Sequence, residues 1–255
     1  LAWARAHGIP TILHEPDSHP GLTTRQFAKG ANAVFLGFPE AESQLTVGAR
    51  TLVYAMGCPI TPPPVHAPTR LDARRAWGLP DDAFVVLVVG GSQGARALNE
   101  CVAKWSKVLP DNVALIWATG KSQAEPYLSY ESEQVRVRPY LSPIADAYAA
   151  ADLAVTRAGA MTIAELCAWG IPSVLVPLPT AAQDHQTHNA KALEAAGASV
   201  YLPQSEFTPE SLDAMVRELR SRPIVLETMA HAAVIRGRPN AAAEIAQQVL
   251  ELVGP

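Results

Sequence analysis

Four short stretches of the 255-residue chain carry side chains able to do chemistry, and each follows an apolar run. The first is Gly90-Gly91-Ser92-Gln93-Gly94-Ala95. Glycines let a backbone approach an anion, and a helix that follows offers free N–H groups and its positive dipole end. A diphosphate suits this loop, with the Ser92 hydroxyl as a further donor; a tight strand-to-helix turn without ligand uses the same residues. The second stretch is Thr156-Arg157-Ala158-Gly159-Ala160-Met161-Thr162, followed by Ile163, Ala164 and Glu165. Arg157 stands where a phosphate or sugar is met, and Gly159 permits close approach. Glu165 shares a helical face with Thr162, and a carboxylate can accept two hydrogen bonds from the cis hydroxyls of a ribose. The same Thr162/Glu165 spacing also fits a helix capping box.

The third stretch, Gln183-Asp184-His185-Gln186 with His188 and Asn189, gathers donors and acceptors at a helix start. That chemistry suits sugar hydroxyls, which need directed hydrogen bonds and little charge. His185 and His188 also have the types of metal ligands, but the pair lacks a third partner. The fourth is His14-Glu15-Pro16-Asp17, an imidazole and two carboxylates that include a candidate general base. A solvated loop with a helix cap explains the same residues. No Asp-x-Asp occurs in the chain, so a bound diphosphate has to be neutralised by helix dipoles and backbone N–H groups.

The runs before and between these loops specify their scaffold. Residues 9–14 (IPTILH), 32–37 (NAVFLG) and 51–55 (TLVYA) read as short strands. Pro59, Pro62, Pro63, Pro64 and Pro68 then fall within ten residues and mark an extended linker. Beyond it, strands are expected at 83–89, 114–119, 153–156, 172–176 and 198–202, with helices at 95–108, 144–151, 161–169 and 184–196. Continuous apolar strands separated by helices mean a parallel sheet covered on both faces, a doubly wound α/β unit. Residues 208–253 read as a helical tail, interrupted near Arg222–Pro223 and at 237–239.

Composition narrows the function classes. Hydrophobic residues make up 49% and charged residues 17%, enough for a sizeable core, and the net charge of −4 argues against a basic nucleic-acid face. Cys58, Cys101 and Cys167 lie far apart without CxxC spacing, so neither a disulfide framework nor a zinc site is expected, and a reducing cytosol fits. No apolar run approaches 18 residues. Residues 1–7 read as the end of a helix closed by Gly8, without the marks of a signal peptide, so the chain is expected to begin partway through a domain.

In their order and spacing, His14-Glu15…Pro20-Gly21, the Gly90–Ala95 loop, Arg157–Thr162…Glu165 and Asp184-His185-Gln186…Asn189-Ala190 resemble the MurG family of glycosyltransferase family 28. These are the peptidoglycan transferases that convert lipid I to lipid II. The resemblance spans nearly the whole chain, Gly237-Arg238-Pro239 in the tail included. It implies an α/β fold of GT-B type with two facing Rossmann-like domains, the N-terminal one only partly present. Residues 1–58 would belong to the acceptor-side domain, 59–70 to the linker, and 71–255 to the donor-binding domain with its tail. The implied donor is UDP-N-acetylglucosamine, with no tightly bound cofactor and no metal. The implied acceptor is undecaprenyl-diphosphate-linked N-acetylmuramoyl-pentapeptide, met peripherally at the cytoplasmic face of the bacterial inner membrane, with inversion at the anomeric carbon.

On the residues, the resemblance implies that Ser92 and Gln93 meet the diphosphate. Arg157, Ala160, Met161, Thr162, Ile163 and Ala164 would hold phosphate and ribose, and Glu165 would take the ribose hydroxyls. Leu141 would line the uracil pocket, while His185, Gln186 and Asn189 would bind the sugar. His14 and Glu15 would be catalytic, with Asp17 beside them towards the acceptor. Three departures stand out. The family's N-terminal glycine-rich loop, with its histidine, would precede Leu1. Its His-Glu-Gln-Asn reads His14-Glu15-Pro16-Asp17, and its Gly-Asn-Pro-x-Arg reads Gly57-Cys58-Pro59-Ile60-Thr61, without the arginine. A different glycolipid acceptor, or a UDP-sugar-binding chain without catalysis, shares every donor residue. A dinucleotide-dependent oxidoreductase is disfavoured: Ser92 takes the second glycine of GxGxxG, and no acidic residue follows 113–119.

Overall fold

Short apolar runs near the N-terminus build the smaller of two sheets. The computed structural model describes residues 1–91 and 93–254. Helix α1 (Ala2–Ala6) precedes β1 (Ile12–Glu15), α2 (Leu22–Phe27), β2 (Ala33–Leu36) and β3 (Leu52–Tyr54), and the three strands pair in parallel in the order β1-β2-β3. The first strand starts three residues later than the apolar run suggests. Pro10 supplies no N–H to a ladder, and Glu15 rather than His14 ends the strand. Residues 55–69 contain neither helix nor strand, yet Cys58 and Ile60 of this linker are buried.

The larger sheet is doubly wound. In chain order come α3 (Arg70–Ala76), β4 (Phe84–Val89), α4 (Arg96–Trp105), β5 (Val113–Ala118), β6 (Val135–Arg138), α5 (Ala145–Ala150), β7 (Leu153–Thr156) and α6 (Ala160–Trp169). They are followed by β8 (Ser173–Leu175), α7 (His185–Ala195), β9 (Ser199–Tyr201), α8 (Pro209–Arg220), α9 (Pro223–Arg236) and α10 (Ala241–Val253). The six strands are all parallel, in the order β6-β5-β4-β7-β8-β9. Successive side chains of a strand point to opposite faces. Val86 and Val88 accordingly join one core with Leu98, Trp105 and Trp117, while Val85 and Leu87 join another with Ile116, Tyr148 and Leu166. Burying each such side chain contributes roughly 1.5–3 kcal/mol.

Helix α2, strand β6 and helix α3 were absent from the sequence reading. Strand β6 has the pattern Val-Arg-Val-Arg, with Val135 and Val137 in the core and the arginines half-buried, so no continuous apolar run announces it. Helix α3 is short and charged; the Thr69 hydroxyl caps it, accepting from the Asp72 N–H at 3.2 Å.

The tail brings the chain back to the small sheet. Arg236, at the end of α9, pairs with Glu40 at 2.5 Å and lies 5.3 Å over the Phe38 ring. A core of Phe38, Cys58, Ile60, Ile163, Leu193 and Ala233 joins the linker and small sheet to α6, α7 and α9. The loop after β1 therefore faces the helices that follow β7 and β8.

Candidate active site

In an open parallel sheet, ligands bind beyond the carboxyl ends of the strands where strand order reverses. Here that point lies between β4 and β7. A cleft of about 550 Å³ opens there, lined among others by Gly90, Gly91, Gly94, Arg157, Gly159 and Gln186. A smaller pocket of about 170 Å³ adjoins it, lined by Ala118, Leu141, Ile144, Tyr148 and Glu165. Gly91 and Thr162 border both, so the two form one continuous groove.

Two helix N-termini open on the larger part. Neither Ala95, before α4, nor Gly159, before α6, provides a side-chain cap. The first N–H groups of a helix have no intrahelical partner and carry its positive dipole end, an arrangement that attracts phosphate oxygens. A Cβ on Gly159 would meet nothing within 4 Å, so the backbone there is open to a ligand.

The glycine loop after β4 is locked to the loop after β5. Gly94 has φ +80 and Gly120 has φ +90, and a Cβ on either would run into the backbone of the other loop. The Gln93 carbonyl accepts from Ser122 Oγ at 3.1 Å and from Gln123 Nε2 at 3.3 Å. Buried Asn99 donates to Gln123 Oε1 and to the Thr119 carbonyl, while Trp117 Nε1 donates to Asn99 Oδ1 at 3.0 Å. Sequence reading missed Asn99, Ser122 and Gln123; an asparagine on the apolar face of α4 was the available signal. Gln93 itself is exposed, and Ser92 lies outside the described residues.

Leu141 and Glu165 both line the smaller pocket. Glu165 does not complete a capping box: α6 starts after Gly159, and Glu165 Oε2 accepts from Tyr148 Oη at 2.7 Å. Burial, with the Glu165 charge beside it, pushes the Tyr148 phenol far above its ordinary value, so it stays a donor. Met161 is exposed at the start of α6.

Several expected ligand residues serve the protein instead. Ile163 is buried in the core that joins the two sheets, and Ala164 packs against that core, so neither side chain faces the groove. Arg157 borders the groove, but its Nη1 donates to the carbonyls of Val176 and Pro177 and its Nη2 to Gln204 Oε1 at 2.6 Å. Burial pulls its pKa down to about 10. It anchors the loop after β8 more than it awaits a phosphate. Gln186 lines the groove with its carboxamide oxygen accepting from the Leu178 N–H, which leaves its amide N–H groups for a ligand. His185 Nδ1 is 2.7 Å from the Ala182 carbonyl oxygen, and His188 stacks on His19 with ring centroids 4.6 Å apart.

Asn189 is fully buried away from the groove. It donates to Asp17 Oδ1 and the Ala158 carbonyl and accepts from the Ser18 N–H. It joins the loop after β1 to the loop before α6 and is not a sugar contact. Asp17 likewise faces α7. Glu15 is buried, and its two oxygens accept from the N–H groups of Asp17 at 3.2 Å and Gly21 at 2.9 Å. A carboxylate so committed braces its own loop and is not placed to act as a base. His14 is exposed, with Nε2 3.3 Å from the Gly57 carbonyl oxygen.

A doubly wound sheet with this groove, and a second parallel sheet packed across from it, define a sugar transferase fold of the GT-B type. Comparison with known proteins narrows the class. The glycosyltransferase family 28 C-terminal domain matches residues 85–249. The chain is 40% identical over 255 residues to the UDP-N-acetylglucosamine--N-acetylmuramyl-(pentapeptide) pyrophosphoryl-undecaprenol N-acetylglucosamine transferase of Chlorobaculum tepidum, covering 99% of this chain and 69% of that protein. It superposes on the crystal structure of Acinetobacter baumannii MurG with a TM-score of 0.76 and 32% identity, over 96% of this chain and 68% of that one. The calicheamicin glycosyltransferase CalG4 shares the fold at 18% identity, with a TM-score of 0.65 over 99% of this chain and 70% of that one. The chain belongs to the MurG family of the family 28 glycosyltransferases.

Proposed function

We propose that the groove binds UDP-N-acetylglucosamine and that the enzyme transfers its sugar, with inversion, to undecaprenyl-diphosphate-linked N-acetylmuramoyl-pentapeptide. The reading rests on one observation: a small, mostly apolar pocket with a single carboxylate opens directly into a glycine-lined cleft between two uncapped helix N-termini. Uracil sits against Leu141, and the ribose diol meets Glu165. The diphosphate lies between the starts of α4 and α6, and the sugar reaches towards Gln186.

In this reading the acceptor hydroxyl attacks the anomeric carbon from the side opposite UDP, in one displacement. Charge developing on the departing diphosphate is met by the two helix N-termini, where oriented N–H groups need no reorganisation, so the reading calls for no metal. The acceptor approaches from the side of the loop after β1. Because that acceptor is a membrane lipid, the reaction takes place at the cytoplasmic membrane face. Among the described residues, no helix is long and apolar enough to cross a membrane.

Calorimetric titration with UDP-N-acetylglucosamine, with UDP-glucose and NAD as controls, tests the donor half. Selective binding is expected, weakened at least tenfold by Glu165→Ala. Failure of the folded chain to bind, or equal binding of NAD, removes the donor assignment. Transfer only to a different lipid in a coupled assay removes the acceptor.

A further inference from the structure

We infer that Tyr148 is a positioning residue that sets the chain's preference for a ribose over a deoxyribose nucleotide. The inference rests on the reading of Glu165 as the ribose contact and extends it to a residue that touches Glu165 from behind.

Tyr148 lies on α5 and is buried in the core beneath the sheet. Its ring packs against Trp169 with centroids 5.8 Å apart, which fixes the direction of the hydroxyl. That hydroxyl ends in the smaller pocket, and Glu165 Oε2 accepts its proton at 2.7 Å. Thr162 stands on the same stretch of α6, but no hydrogen bond from it holds the carboxylate. Among the described residues, Tyr148 is therefore the side chain whose hydrogen bond orients Glu165 on its protein side.

A carboxylate has about four acceptor sites on two oxygens. With one site filled by a fixed donor, rotation of the group is restricted, and the remaining sites are held in one direction. Two vicinal hydroxyls can then be met together without an ordering cost at the moment of binding. A ligand with only one of the two hydroxyls loses a hydrogen bond to a charged acceptor, which is worth a tenfold or greater difference. Without the phenol proton, Glu165 turns freely, and the gain from the second hydroxyl shrinks.

Tyr148→Phe removes one oxygen and keeps the ring that packs on Trp169. Dissociation constants of the unmodified chain and the variant are measured by calorimetry for UDP and for 2′-deoxy-UDP, with Tm as the control for folding. The unmodified chain is expected to bind UDP at least tenfold more tightly than 2′-deoxy-UDP. The variant is expected to bind UDP about tenfold more weakly, 2′-deoxy-UDP almost unchanged, and so to lose most of that ratio. If the variant weakens both nucleotides equally, or neither, Tyr148 serves packing alone and the inference is overturned while the Glu165 reading stands. Should the unmodified chain itself fail to prefer UDP, the Glu165 reading falls and takes the inference with it. Tyr148→Leu, which also loses the ring, is expected to lower Tm and affinity together, separating loss of the core from loss of the proton.

Discussion

Asn189 Nδ2 donates to Asp17 Oδ1 at 2.7 Å, across 172 positions of sequence, and the same asparagine accepts from the Ser18 N–H at 2.8 Å. Together with the Ala158 carbonyl, these contacts tie the loop after β1 to the turn that opens α6. The loop after β1 and the start of α6, the two sides of the proposed substrate cleft, are thereby tied to each other by one buried side chain. In the family pattern an asparagine stands at position 17; here the partner is an acid, which suits the donor amide of Asn189.

Removing that side chain leaves the Ser18 N–H buried and unpartnered. Asn189→Ala is expected to lower stability by about 2–3 kcal/mol in denaturant unfolding. Asn189→Asp places two carboxylates against each other and is expected to cost at least as much. The double variant Asp17→Asn with Asn189→Asp exchanges donor and acceptor and is expected to recover part of the loss. A coupling energy below about 0.5 kcal/mol in the four-protein cycle would show that the pair does not interact as described.

Gly159, which lines the groove, and Gly120, which packs on Gly94 behind it, separate folding from binding. Gly159 has ordinary extended backbone angles and open space at its Cβ position, so Gly159→Ala is expected to leave stability within about 0.5 kcal/mol. In the proposed donor site the added methyl stands where phosphate oxygens would reach the start of α6, and donor affinity is expected to fall at least tenfold. Gly120→Ala meets the Gly94 backbone at a positive φ and is expected to cost about 2–4 kcal/mol in stability. Equal effects of the two substitutions on Tm would contradict this placement of the loops.

Glu15 braces a loop. Glu15→Gln can accept only one of the two N–H bonds, and its amide opposes the other. A loss of about 1–3 kcal/mol in stability is expected. Rates measured well below the variant's Tm are expected to retain most of the parent kcat. A thousandfold fall in kcat in a fully folded variant would restore the carboxylate to the chemistry.

The three thiols are buried and silent. Burial pushes Cys58, Cys101 and Cys167 each from 9.0 up to about 12. At pH 8 the thiolate fraction is on the order of a thousandfold below that of an exposed cysteine, so labelling by a thiol reagent is expected only after denaturation. The native state keeps these protons where the unfolded chain releases them near 9.0. Unfolded protein then binds fewer protons, and stability is expected to decline as pH rises from about 9 towards about 12. Fast labelling of the native chain at pH 8 would contradict the burial.

The sequence by itself determined the elements that repeat or break a local period. The apolar run 83–89 became β4, 153–156 became β7 without a residue of difference, and Gly197 ends α7 with φ +76. The glycine loop, Leu141 and Glu165 were also legible, because a strand, a loop and a helix in succession place them at one edge of a parallel sheet. Tertiary structure alone decided what each polar side chain touches. Asn189 and Glu15 have the types of ligand and base but were spent on backbone N–H groups and on Asp17, and Ile163 faces a core made by both sheets. Tyr148 and Asn99 went unremarked in the sequence, yet their polar ends hold Glu165 and, through Gln123, the glycine loop. Periodicity is set by bonds between near neighbours, whereas a buried donor must find its acceptor wherever packing brings one. Nothing in the spacing of a chain records that partner before the sheets close on each other.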